Sequence, residues 1–199
     1  MKYLLTFLLF ATSSATFAQS YQLQIAAYRE HYKSDFLDDK NSPIKKDDLP
    51  YLRFYDADSS YSVKASAELL PNASTFIMPV FTGTGSEYIP YARLNFLIKG
   101  QPMQLTVYRS TRLATIPAYK DYLFLPFTDD TNGIETYGGG RYIDLREGDF
   151  KDNAVTIDFN KAYNPYCAFG AGYACPKPPD ENHLTTAIQA GEKRYARSH

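Results

Sequence analysis

Asp129, Glu135 and Arg141 flank the glycine run Gly138-Gly139-Gly140. An arginine in such company offers a planar fork for a carboxylate or phosphate. Two carboxylates can also divide acid and base roles once burial separates their pKa values. The same three residues can equally pair with one another inside the protein. Asp158 and Asn160 alternate with the apolar Ile157 and Phe159, which places both on the side of one strand that faces away from the core. They suit a polar cluster around a ligand, with Asp158 as base or acceptor. They also suit loop scaffolding, because Asn and Asp side chains bond to nearby backbone where the chain turns, as it does at Asn164-Pro165. Tyr137, Tyr163, Asn164, Glu181 and Asn182 complete the candidate ligand-binding residues. Glu192-Lys193 reads as a further pair, in which Lys193 balances Glu192 at the surface.

Metal and nucleophile chemistry find little. The chain has no Cys-x-x-Cys, His-x-His or His-Glu-x-x-His pattern, so neither a metal site nor another cofactor is expected. A Gly-x-Ser-x-Gly elbow is also missing, and only His183 of the three histidines falls beside the motif region. Cys167 and Cys175 are the only cysteines, eight positions apart across a glycine-containing spacer.

The N-terminus decides how that pair is read. Lys2, an apolar run from Tyr3 to Ala11 and the small residues ending in Ala15-Thr16-Phe17-Ala18 have the three parts of a secretory signal peptide. Cleavage after Ala18 divides the chain into a leader, residues 1–18, and a single domain, residues 19–199. No cysteine lies near the cleavage point to take a lipid, and no later stretch approaches the roughly 20 apolar residues of a membrane span. The expectation is a periplasmic or secreted protein without a stable membrane anchor after processing. In that oxidising setting Cys167 and Cys175 form a disulfide, worth about 2 to 3 kcal/mol for a loop of this size.

Charge and composition narrow the partners. Lys and Arg number 21 against 22 Asp and Glu, and no basic block offers the footprint that nucleic acid needs. With 18 Tyr, 13 Phe and no Trp, the chain is stocked for strands and for aromatic contact with a small-molecule or carbohydrate ligand.

The elements that must position these residues are legible as periods. Tyr21, Ile25, Tyr28, Tyr32 and Phe36 draw one stripe on a helix that ends near Asn41-Ser42-Pro43. From Tyr61 the period changes to two, through Val63, Ala65, Ala67 and Leu69. Ala92 to Ile98 and Met103 to Val107 read as an antiparallel hairpin joined by Lys99-Gly100-Gln101-Pro102. Phe76 to Phe81, Tyr122 to Phe127, Tyr142 to Leu145, Val155 to Phe159 and Leu184 to Ile188 complete the strands. The fold class is mainly β, an antiparallel sandwich or barrel-like domain with an N-terminal amphipathic helix.

Two longer blocks carry a resemblance. Phe124-Leu125-Pro126-Phe127-Thr128-Asp129 with Glu135-Thr136-Tyr137-Gly138-Gly139-Gly140-Arg141-Tyr142 is one. Asp158-Phe159-Asn160-Lys161-Ala162-Tyr163-Asn164-Pro165-Tyr166-Cys167, followed by Cys175-Pro176 and Pro179-Asp180-Glu181-Asn182, is the other. Together they resemble the bacterial domain-of-unknown-function family DUF1684 over nearly all of residues 19–199. The resemblance supplies residues without roles. The chemistry leaves two readings, a ligand-binding or scaffolding β domain with a polar motif pocket, and a metal-independent hydrolase. The hydrolase requires two of Asp129, Glu135 and Asp158 within about 10 Å across a cleft.

Overall fold

The computed structural model describes residues 2–197, with side chains described from Gln19 onward. The expected leader, residues 1–18, lies outside the described side chains. Helix α1 (Lys2–Asp38) runs into the loop before Pro43. Its stripe packs as the spacing requires: Ile25 and Phe36 are buried, while Tyr21, Tyr28 and Tyr32 are half-buried.

The strands are β1 (Ser62–Leu69), β2 (Phe76–Met78), β3 (Ser86–Ile98), β4 (Gln101–Ser110), β5 (Tyr122–Asp129), β6 (Arg141–Arg146), β7 (Ala154–Asp158) and β8 (His183–Leu184). They make one curled sheet in the order β6-β5-β4-β3-β1-β7, with β2 also on β3 and β8 on β5. All pairings are antiparallel except the short β5–β8 contact. The β3–β4 hairpin turns on Lys99 (φ 49) and Gly100 (φ 79), where two positive φ values match the twist of the strands. Two expected strands are shorter than their apolar runs suggest. In the Phe76 to Phe81 run the strand ends at Met78, beyond which Val80 makes only an isolated bridge with Pro176. Of Leu184 to Ile188 only Leu184 is in a strand, because the chain then leaves the sheet to cross Arg141.

The period-2 patterns fill both faces of the sheet. Leu94, Leu105, Leu123, Leu125, Phe127 and Ile157 build the main core inside the curl. On the outer face Tyr88, Tyr108, Phe124 and Tyr142 pack around Met78. A third cluster, with Phe36, Ile44, Leu52, Phe169 and Tyr195, joins the end of α1 to the C-terminal loops.

Candidate functional site

Arg141 and Asp129 stand at the facing ends of β6 and β5, both with fully buried side chains, and pair at 2.8 Å. Nη1 of Arg141 donates to the carbonyls of Ala190 and Glu192 and Nη2 also to that of Ile188, while its buried Nε has no hydrogen-bond partner. Asp129 also accepts from the Thr131 amide and hydroxyl and from the Ile188 amide. The guanidinium thus fastens the C-terminal loop to the sheet, and no face of it is open to a ligand. Gly140 makes the approach possible: at φ +92, a Cβ there would lie 2.7 Å from the Phe127 carbonyl oxygen.

Asn182 is likewise buried. Its side-chain Oδ1 accepts from the Thr106 backbone amide at 2.7 Å, and its Nδ2 donates to the Thr106 and Pro126 carbonyls at 2.8 and 2.6 Å. Strands β4 and β5 pair directly only at Tyr108 and Phe124, so Asn182 supplies the hydrogen bonds where the ladder opens. Glu181 beside it is exposed and accepts from Tyr108 at 2.5 Å.

Asp158 and Asn160 do not share an outward face. The strand ends at Asp158 and passes into a 3-10 turn, Phe159–Lys161, which rotates Asn160 into the interior. There its side chain bonds the Asp58 backbone, its own neighbour Asp158 and the Tyr21 hydroxyl. Asp158 accepts from Tyr21 at 2.8 Å and caps the turn. Glu135 pairs with Lys193 at 3.5 Å, and the nearby Tyr55 phenol comes first in lowering its pKa. Lys193 therefore balances Glu135, while Glu192, expected at the surface, is wholly buried. Tyr137 is half-buried against Phe81. Asp129, Glu135 and Asp158 are each engaged by the protein, and none lines the cavity between α1 and β6.

That cavity, of about 550 Å³, lies between α1 and β6 and is closed by the loop after β7. The helix contributes Tyr28, His31, Tyr32, Asp35 and Phe36. Strand β6 contributes Ile143 and Asp144, and the loop contributes Lys161, Tyr163, Asn164 and Tyr166. Of the ten motif candidates, it gathers only Tyr163 and Asn164. Asp144 is accessible to solvent although walled on most sides. One of its oxygens, Oδ1, accepts from Tyr122 and from Tyr163, each at 2.7 Å. Burial raises its pKa, and the two phenols act against that shift. Behind the wall, Glu192 accepts from the Tyr32 hydroxyl and the Asn164 amide.

Beside the cavity, Cys167 and Cys175 are disulfide-bonded, with Cα atoms 6.2 Å apart. The closed loop presents Phe169 to Phe36 at a ring separation of 5.4 Å, and Tyr166, just before it, lies 5.7 Å from the same ring. Among the described residues no group of His, Cys, Asp and Glu could hold a metal ion, and no helix is long and apolar enough to cross a membrane.

The family model described as "Protein of unknown function (DUF1684)" matches residues 47–193. The chain belongs to the DUF1684 family. The solved structure of an uncharacterized protein from gene locus rrnAC0354 of Haloarcula marismortui is 30% identical, with a TM-score of 0.68 over 88% of this chain and 95% of that one. No curated protein matches. The DUF1684 match includes the sheet and every loop residue of the cavity, whereas α1, which forms the opposite wall, lies outside it. Glu192, near the end of the DUF1684 match, has its carboxyl pushed up to about 8, because complete burial outweighs its hydrogen bonds to Asn164 and Tyr32.

Sequence reasoning passed over Asp144, Tyr122 and Tyr166. One signal was available for Asp144: a lone acid between Ile143 and Leu145 on a strand whose other apolar positions are all buried.

Proposed function

We propose that this DUF1684 protein is exported and binds a small organic ligand in the cavity between α1 and β6. The observation that carries the reading is Asp144, an acid at a solvent-accessible position within a largely aromatic cavity, held in one orientation by the Tyr122 and Tyr163 phenols. Oriented polar groups in an otherwise apolar concavity of a few hundred Å³ are the usual make-up of a ligand site. Export is supported by the leader-like residues 1–18 and by the Cys167–Cys175 disulfide, which suits a periplasmic or secreted location. Of the ten motif residues only Tyr163 and Asn164 line this cavity, and Asp129, Arg141, Asn160 and Asn182 are bonded inside the fold. A hydrolase built on Asp129, Glu135 and Asp158 gains no support, since each is already bonded within the protein.

A ligand-observed NMR screen of small metabolites, carbohydrates included, tests the proposal. Hits should vanish when His31→Trp fills the rim, at an unchanged melting temperature. Hits indifferent to His31→Trp and to Asp144→Asn would place binding elsewhere and refute the reading.

A further inference from the structure

We propose that the ligand of this cavity is an organic ammonium ion, a positively charged nitrogen on a small apolar body. The inference rests on the cavity being a binding site. Its aromatic wall is continuous: ring centroids are 6.1 Å apart for Tyr163 and Tyr32, 4.9 Å for Tyr32 and Phe36, and 5.7 Å for Phe36 and Tyr166. Aromatic faces carry the negative part of a quadrupole and attract ammonium groups.

The hydroxyls of that wall point the same way. Tyr28 donates to the Lys161 carbonyl, Tyr32 to Glu192, Tyr163 to Asp144 and Tyr166 to Asp39. Each phenol has spent its proton on the protein, so what remains for a ligand is oxygen lone pairs and ring faces. Those surfaces repel carboxylates and phosphates, and they offer a carbohydrate few donors. Asp144 supplies the counter-charge. Its Oδ2 takes part in none of the described hydrogen bonds, and Asp35, which faces His31 Nε2 at 3.6 Å, places a second carboxylate at the rim. The protein's own ammonium already makes such a contact, since Lys161 Nζ lies 5.6 Å from the Tyr28 ring centroid.

Three probes of one shape and different charge test the assignment: choline, its uncharged carbon analogue 3,3-dimethyl-1-butanol, and the anion 3,3-dimethylbutyrate. Titrated into the purified protein by calorimetry and NMR, choline should bind at least tenfold more tightly than the alcohol, and the anion should not bind. Asp144→Asn should weaken choline at least tenfold without changing the alcohol. Lys161→Gln, which removes a competing cation, should strengthen choline a few-fold, where an anion site would be weakened. Tyr28→Leu should lose affinity that Tyr28→Phe keeps, which separates ring chemistry from folding. Binding of the alcohol or the anion as tight as that of choline overturns the ammonium assignment, as does no binding of choline at millimolar concentration. The cavity reading falls only if the unbiased screen also returns nothing there.

Discussion

Tyr32, on α1, places its hydroxyl 2.8 Å from Oε2 of Glu192, a fully buried carboxyl 160 positions later in the chain. The contact ties the helix to the C-terminal loop directly behind the cavity. Glu192 Oε1 and Asn164 Oδ1 are both buried without a hydrogen-bond partner. These are two acceptors in one neighbourhood, and a proton on Glu192 converts one of them into a donor. Burial thereby favours the neutral acid.

The pH dependence of stability follows. The Glu192 carboxyl rises from its ordinary 4.5 to about 8, so between those values the folded protein holds a proton that the unfolded chain has released. Stability contributed by this group is full below about pH 4.5, falls as pH rises toward 8 and then levels off. The slope is up to about 1.4 kcal/mol per pH unit. Glu192→Gln, which imitates the neutral acid, should flatten the urea-denaturation profile across that window. Parallel profiles for the two proteins would refute the assignment.

Arg141→Ala should cost about 3 to 5 kcal/mol, because it strands the Asp129 carboxylate in a closed interior and releases the Ala190 and Ile188 carbonyls as well. Equilibrium unfolding measures it. A well-folded variant that had lost only ligand affinity would instead make Arg141 a binding residue.

Asn182→Ala should destabilise by about 3 kcal/mol or more, since it leaves the Thr106 amide and carbonyl and the Pro126 carbonyl without partners at about 1 to 3 kcal/mol each. Hydrogen exchange should speed first at the open part of the β4–β5 ladder. Exchange spread evenly over the sheet would count against this role.

Reduction of the Cys167–Cys175 bond should lower stability by about 2 to 3 kcal/mol and loosen Phe169 and Tyr166 from Phe36. Melting curves with and without reductant, set beside the Cys167→Ser/Cys175→Ser double variant, check this. Two reactive thiols in the denatured, unreduced protein would contradict the bond outright.

The fold was legible wherever a period ran long enough. The helix stripe from Tyr21 to Phe36 and the hairpin about Lys99-Gly100 needed only local spacing. Asn160 and Glu192 were misplaced for a common reason. A polar residue in a turn looks solvated in sequence, yet here the 3-10 turn after Asp158 and the crossing of the C-terminal loop carry both inside. The site was less legible than the fold. Its tyrosines read as core because the stripe that packs α1 also forms one wall, and Asp144 meets them only through tertiary contacts between α1, β6 and the loop after β7.

The most direct measurement of the central claim is an amide chemical-shift map of isotope-labelled protein titrated with the hits of an unbiased small-molecule screen. The account predicts saturable shifts confined to the second half of α1, to Ile143 and Asp144, and to the loop from Lys161 to Tyr166, all lost in Asp144→Asn. Shifts centred on another groove, such as the one lined by Leu69, Leu70, Pro90 and Tyr91, with the α1–β6 cavity unmoved, would contradict it.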